Sequence, residues 1–537
     1  MKKLIYIILL PFFFSFQAEK PSPKQPNILW ITCEDMSEHL GCYGEKIAKT
    51  PILDQFASEG IRYTNFYATA GVCAPSRSAI ITGMHQQTIG TQHMRTLAVS
   101  AVGTDGYPPN FKSYSAVVPE KVKCFPEYLR ENGYYCTNNS KEDYQFEAPP
   151  TAWDESNDHA HWRNRTDKTQ PFFSVFNLFI THESQVFMRA KEPLLVKPED
   201  VIIPPYYPDI PEVRKDMAIF LSNVMKMDKQ VGKILAELKE DGLLENTIIF
   251  FFSDHGDGLP FAKREIYDRG LRVPFIVKFP TNQDAQTVDN ELHSFVDLAP
   301  TVLSLANIPI PKNMQGQVFL GNQKAPNPRK YIYAARDRMD SEYDRVRAVR
   351  DGSFKYIKNY MPEKPLYQNI RFRLLQPMMP AILKQRDEGK LNETQMKWFV
   401  QTKPKEELYD CQNDYFELNN LADKPEFQSK LKELRKVNEN FTKKYGDMGE
   451  QNEMEMVSKW WSGKQEPPTT EIVNTQNIAG KCNLSTSTIS ASIGYKTKAE
   501  SPWMVYVKPF SIQKGDSLYT IAQRIGYKKS DIRKTIW

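Results

Sequence analysis

Three short apolar runs constrain this chain more than any other feature. They read "PNILWITCED" over residues 26–35, "PFFSVFNLFITHE" over 171–183 and "NTIIFFFSDHGD" over 246–257. Continuous apolar runs of this length, bounded by polar residues, are typical of strands covered on both faces, as in a parallel sheet. Each run also ends in polar residues: Glu34 and Asp35, then His182 and Glu183, then Asp254, His255 and Asp257. In open α/β sheets ligands bind outside the carboxyl ends of the strands. These residues, far apart in sequence, are therefore expected to converge.

Between the runs, residues 213–240 carry Met217, Phe220, Leu221, Val224, Met227, Val231, Ile234, Leu235 and Leu238 at helical spacing, with Asp241-Gly242 as the stop. Residues 119–132 and the stretch "HSFVDLAPTVLSLANIPIP" read as further helices. Alternating strands and helices predict a large doubly wound α/β domain over 26–328. From about residue 329 the texture changes. "RKYIYAARDRM" and "DRVRAVRDGSFKYIKNY" alternate as antiparallel strands do, with Asp351-Gly352 as a hairpin turn. Residues 362–445 read as helical and charged, so 329–460 is expected to be a smaller α+β subdomain with an antiparallel sheet. "GKQEPPTTE" marks a linker over 461–470. Short alternating runs over 471–537 predict a small β-sandwich.

The N-terminus, "MKKLIYIILLPFFFSFQAEK", sets two lysines before an apolar run from Leu4 to Phe16, with Ala18 following. That is a secretory signal pattern over 1–18, too short for a membrane span and broken by Pro11. No cysteine follows it, so no lipid anchor is expected, and the protein is expected to be exported to the periplasm or the medium. The net charge of +5 comes without a long basic block, which gives nucleic-acid binding no support. Seven cysteines without a CxxC pair do not make a complete disulfide framework.

Residues 73–83 read "CAPSRSAIITG". Cys73 can be a packed thiol, a nucleophile, a metal ligand or a chemically altered residue. Its neighbours favour a charged centre. Pro75 suits the first turn of a helix, and Arg77 lies four residues on from Cys73. A helix N-terminus with a guanidinium beside it makes an anion site, and arginine grips tetrahedral oxyanions in bidentate fashion. Glu34 and Asp35 at one strand end, with Asp254 and His255 at another, suggest an oxygen-rich cation site of the kind Ca²⁺ prefers. Zn²⁺ is the rival because of His255. His182 at the ligand face can carry a proton near neutral pH. Lys141 and Lys263 would hold the oxygens of an anion.

Together these residues resemble the type I sulfatase family of the alkaline-phosphatase-like superfamily. The motif that carries the resemblance is C-x-P-S-R-x-x-x-x-T-G, complete from Cys73 to Gly83. "ITCEDMSEHLGCYG", "FFFSDHGDGLPFAKREIYDRGLRVP", "FVDLAPTVLSLANI" and "RAVRDGSFKYI" support it, over roughly residues 26–445. The resemblance implies that a formylglycine-generating maturation enzyme oxidises Cys73 to formylglycine (3-oxoalanine). The hydrated aldehyde is then the nucleophile towards sulfur, and its second hydroxyl allows sulfate to leave by elimination. It also implies Ca²⁺ held by Glu34, Asp35, Asp254, His255 and the modified Cys73. Arg77 would support the nucleophile, Lys141 and Lys263 would bind sulfate, and His182 would protonate the leaving group. Where the family commonly has Gly-Lys-x-His, this chain has "SKEDY", with Asp143 in the place of the histidine.

Within the family, "TNNSKEDY", "GTQHMRT" and "AHWRNR" resemble a heparan N-sulfatase-like branch found in bacteria that degrade sulfated polysaccharides, including ulvan. His93, Arg95, His159, His161 and Arg163 are then candidates for a sugar subsite. The expected function is hydrolysis of sulfate from a sulfated oligosaccharide. The alternatives are N-sulfoglucosamine hydrolysis, a zinc-dependent phosphoesterase of the same superfamily, and a non-catalytic glycan-binding protein.

Overall fold

The computed structural model describes residues 25–97, 107–282 and 284–537. The leader expected over 1–18 lies outside the described residues. The central sheet contains β1 (Asn27–Cys33), β2 (Ile61–Tyr67), β3 (Tyr135–Asn139), β4 (Glu155–Ser156), β5 (Phe172–Leu178), β6 (Thr247–Ser253), β7 (Arg272–Lys278), β8 (Thr287–Asp289) and β9 (His293–Ser294). Its order is β4-β3-β5-β1-β6-β7-β2-β8, with β9 also against β2. The three apolar runs are β1, β5 and β6, adjacent and parallel. Beyond β6 the sheet is mixed, because β7 runs antiparallel to both β6 and β2.

Register is what gathers the strand ends. Cys33 stands opposite Leu178 on one side and Ser253 on the other. All three chains therefore leave the sheet at one level, and their next residues share one rim. Helices cover both faces. On one, Cys73–Thr82, Phe125–Glu131 and Leu298–Leu305 pack together, and on the other Pro51–Ser58 packs on Pro211–Glu240. The long helix begins with Pro211 at its first turn, buries the apolar stripe read from the sequence except for the half-buried Leu235, and stops before Gly242 at φ 67°. Each fully buried Phe, Leu or Met of that stripe contributes about 1.5–3 kcal/mol.

The helix expected over 119–132 is shorter, Phe125–Glu131. Pro126 lacks an N–H and its ring clashes with the carbonyl four residues back, so a helix can begin there but not run through it. Beyond the central sheet, β10 (Ile332–Arg336), β11 (Val346–Arg350), β12 (Phe354–Asn359) and β13 (Glu406–Asp410) form an antiparallel sheet in that order. The β11–β12 turn is Asp351-Gly352, as read, with Asp351 Oδ1 accepting from the amides of Ser353 and Phe354. The strand β13 interrupts the region expected to be helical over 362–445. Its "EELYD" buries Leu408 and Tyr409 beside β12, and the long helix there is confined to Gln428–Tyr445.

At the C-terminus, β14 (Asn474–Ile478) and β15 (Lys481–Ser485) form a hairpin. A second sheet, β17-β16-β18-β19, contains β16 (Ser492–Lys496), β17 (Met504–Val505), β18 (Ser517–Gln523) and β19 (Arg533–Ile536). The two share a small core of Val473, Cys482, Leu484, Leu518 and Ala522. Gly526 lies so close to Val117 that an added Cβ would stand 2.5 Å from its Cα, and Arg130 donates to the Trp503 carbonyl. Among the described residues no helix is long and apolar enough to cross a membrane.

Candidate active site

The rim formed by β1, β5 and β6 carries a dense, buried set of charges. Cys73 heads a helix in which every residue is buried, directly after the chain leaves β2. One turn on, Arg77 donates from Nε to Asp254 Oδ2 at 2.9 Å and from Nη1 to Asn177 Oδ1 at 2.7 Å. Ser76 Oγ donates to the Asp254 carbonyl at 2.6 Å. The helix carrying Cys73 is thereby pinned to the ends of β5 and β6.

Lys141, just after β3, places Nζ 2.5 Å from Glu34 Oε2 and 3.8 Å from Asp143 Oδ2. Lys263 places Nζ 2.5 Å from Asp35 Oδ2 and 3.2 Å from Glu183 Oε1. His182 Nδ1 accepts the Ser184 amide and lies 2.8 Å from Ser184 Oγ, so Nε2 is the protonated nitrogen. That nitrogen faces Glu34, with Oε2 at 4.0 Å. Sequence reading thus located Glu34, Asp35, Cys73, Arg77, Lys141, His182, Asp254, His255 and Lys263, and the fold brings all nine to one rim.

Burial and mutual charge decide the protonation states. Burial raises the Glu34 carboxyl, with Lys141 and Arg77 opposing. Asp35 is also desolvated, yet the Lys263 ammonium beside it holds it well below the usual carboxylate range. Burial, then Lys263, push His182 down to about 3, so the ring is neutral. Burial, then Asp143, push the Cys73 thiol up to about 12. An unmodified Cys73 is therefore a thiol at neutral pH and not a thiolate nucleophile.

The donor set fits a hard cation. Glu34 Oε1, Asp35 Oδ1, His255 Nδ1 and Nε2, and Arg77 Nη2 are buried without a hydrogen-bond partner among the described residues. Asp35 Oδ1 and His255 Nε2 are 2.9 Å apart but not aligned to bond each other. One ligand atom each from Asp35, Asp254 and His255 lie within 4.8 Å of one another, as do those of Glu34, Asp35 and His182. Buried carboxylate oxygens without donors are costly unless a cation joins them, and three carboxylates with one imidazole suit Ca²⁺ better than Zn²⁺.

Sequence reading gave no role to three neighbours. Glu183 takes Arg264 in a bidentate pair at 2.8 and 3.0 Å, and its amide donates to Asp35 Oδ2 at 2.7 Å. Asn177 links Arg77 to Asn138 and Asn139. Asp143, at φ 54°, stands beside Cys73 and is held below the usual carboxylate range, where Lys141 and Arg95 outweigh burial. The only signal for Glu183 was its place beside His182 at a strand end.

The expected sugar subsite divides. Arg95, at φ 59°, reaches the rim: it acts on Cys73 and Asp143 and lies 3.7 Å from Asp340 Oδ1. His93 is fully buried, with Nδ1 3.3 Å from the Arg338 amide, and burial pushes it down to about 4. It packs near Tyr343 and is closed to solvent. His159, His161 and Arg163 do not join the cluster. His161 Nε2 is 3.2 Å from Glu237 Oε2, and Arg163 bonds Asp241 at 2.7 Å and Glu240 at 2.9 Å. Those partners end the Pro211–Glu240 helix, which leads into the N-terminal end of β6, opposite the ligand rim. His159 is exposed, its carbonyl taken by Asn164, and its neighbours Asp158 and Ala160 accept from Asn139 at the end of β3. It therefore stands nearer the rim than His161 and Arg163, but bonds none of the cluster's side chains among the described residues.

The "Sulfatase" family model matches residues 26–308, and the "N-sulphoglucosamine sulphohydrolase, C-terminal" model matches 256–369. An ulvan-active sulfatase of Formosa agariphila is 45% identical, over 96% of this chain and 91% of its own length. Human N-sulphoglucosamine sulphohydrolase is 24% identical, over 76% of this chain and 88% of its own. A protein solved in complex with its substrate D-glucosamine-2-N,6-O-disulfate superposes with a TM-score of 0.57 at 21% identity, covering 80% of this chain and 100% of that one.

Proposed function

Because the chain belongs to the sulfatase family, a family of sulfuric ester hydrolases, we propose that it is an exported, Ca²⁺- and formylglycine-dependent enzyme that removes sulfate from ulvan or its oligosaccharides. The observation that carries this reading is the surroundings of Cys73: a high-pKa thiol at the head of a buried helix, beside Arg77 and facing two lysines and a carboxylate-rich donor set. An inert thiol amid so much charge makes sense as a precursor. The choice of glycan rests on the 45% identical ulvan-active relative.

Glu34, Asp35, Asp254 and His255 are the residues that would hold Ca²⁺, beside position 73. When present, the cation would supply positive charge to sulfuryl oxygens, and formylglycine at position 73 would supply an oxygen nucleophile. The chain's own groups then have defined tasks. Arg77, fixed by Asp254 and Asn177, orients the side chain at position 73 and keeps Nη2 for an oxyanion. Lys141 and Lys263 bind sulfate oxygens, each tethered to a carboxylate at 2.5 Å that keeps it charged in a buried site. His182, fixed through Ser184, offers its Nε2 proton to the leaving oxygen. Arg95 borders the same space and contacts the sugar.

Cys73 is 1% exposed. A maturation enzyme must therefore act on the Cys73–Arg77 stretch before the helix packs. The test is to co-produce the chain with a formylglycine-generating enzyme and to measure the mass of the Cys73 peptide and the bound metal. An aldehyde at position 73 with stoichiometric calcium supports the reading. An unmodified thiol with bound zinc would favour a phosphoesterase instead.

A further inference from the structure

We propose that the C-terminal β-module is a docking surface for the sulfated polysaccharide chain, separate from the site that cleaves it. The inference rests on the sulfatase reading for the nature of the polymer, and on three observations for the surface. The first is charge. Residues 471–537 hold ten Lys or Arg against four Asp or Glu. Their formal +6 exceeds the +5 of the whole chain, so the remainder is slightly acidic overall. A positive module on an otherwise acidic protein attracts a polyanion to one place.

The second observation is geometry. Lys496 on β16 stands opposite Tyr519 on β18, and Tyr519 stands opposite Lys534 on β19. Directly opposed residues share a face, so the three make one basic–aromatic–basic row. Lys534 Nζ lies 5.4 Å from the Tyr519 ring centre, and Lys496 Nζ lies 4.5 Å from that of Trp503 while donating to the Ala499 carbonyl. Trp503, Tyr519 and Lys496 are half-buried and Lys534 is exposed. In both pairs the ammonium lies over the ring in a cation–π contact. An aromatic ring suits the apolar C–H side of a sugar, and the ammonium groups suit its sulfates. Neutral glycans need no such lysines, and a plain polyanion needs no such rings.

The third observation is position. The module is clamped to the catalytic body by the Arg130–Trp503 bond, by the Gly526–Val117 contact and by Ser490 Oγ accepting the Lys121 amide. Its Lys529 acts on Glu142, the residue between Lys141 and Asp143. A polymer held on the module is therefore tethered to the body that carries the catalytic rim.

The test uses the full-length protein with Cys73→Ala, so that no polymer is consumed. Binding of ulvan, chemically desulfated ulvan and duplex DNA is measured at one ionic strength by affinity electrophoresis or calorimetry. Lys496→Ala/Trp503→Ala/Lys534→Ala should bind sulfated ulvan about tenfold more weakly than its parent. The lysine pair alone, both changed to Glu at solvent-accessible positions, should lose at least as much, and the Lys→Arg pair should keep binding. The same changes in the matured enzyme should leave turnover of a short sulfated oligosaccharide unchanged. Unaltered ulvan affinity in the variants would overturn the proposal, as would equal affinity of the parent for DNA or desulfated ulvan. Failure of the catalytic reading shows differently, as no sulfate release from the short substrate while the binding contrast persists.

Discussion

Replacing Glu183 with Gln tests how the buried rim is held. Glu183 is 2% exposed and is the shared counter-ion of Arg264, at 2.8 and 3.0 Å, and of Lys263, at 3.2 Å. Across 2.8 Å, the Coulomb attraction at an effective dielectric of about 20 is about 6 kcal/mol. Desolvation of the carboxylate offsets part of that. Arg264 keeps Asp340 at 3.4 Å and Lys263 keeps Asp35 at 2.5 Å, which limits the damage further. The expected loss for Glu183→Gln is therefore about 3 kcal/mol, at the lower end for breaking a buried ion pair. The assay is urea denaturation, read as a fall in midpoint at unchanged slope. Glu183→Gln/Arg264→Met removes both partners and should recover most of the loss, giving a non-additive double-mutant cycle. A loss below about 1 kcal/mol for the single variant, or a strictly additive double, would refute the reasoning.

Other expectations follow from the same structure. Asp216 accepts the Met378 amide at 2.7 Å, but burial raises its carboxyl to about 7. A raised carboxyl stabilises the fold below the unfolded pKa near 3.8 and loses that contribution as pH climbs to 7. Asp216→Asn should thus add up to about 4 kcal/mol above pH 7 and little at pH 4, seen in melts across that range. Calcium at about 100 times its Kd should stabilise the protein by about 2.7 kcal/mol, reversed by a chelator and abolished by Asp254→Ala. His161→Ala and Arg163→Ala, at the far end of the Pro211–Glu240 helix, should cost under about 1 kcal/mol and leave kcat/KM unchanged. Arg95→Ala, at the rim, should raise KM for a short sulfated oligosaccharide.

Much of this site was legible because its residues follow directly from strands whose apolar runs are unmistakable. Once β1, β5 and β6 are adjacent and in register, Glu34, His182 and Asp254 have nowhere else to go. The Cys73–Gly83 motif placed the remaining helix. What failed depended on long-range pairing or on one residue's stereochemistry. Pro126 moved a helix start by several residues, and β13 exists only because β12 offers it an edge. His161 and Arg163 sit near His159 in a histidine-rich stretch that looked like a subsite. Their actual partners are 74 to 78 residues away, on a helix end that no local pattern announces. Glu183 was hidden for the same reason, since its value lies in Arg264, 81 residues later.

The central claim is most directly tested by sulfate release. Purified enzyme, matured at position 73, is incubated with ulvan oligosaccharides and free sulfate is quantified beside the Cys73→Ala variant. Release by the matured enzyme and none by the variant is the expected result. Equal release by both, or none from ulvan alongside release from heparan fragments, would contradict the account.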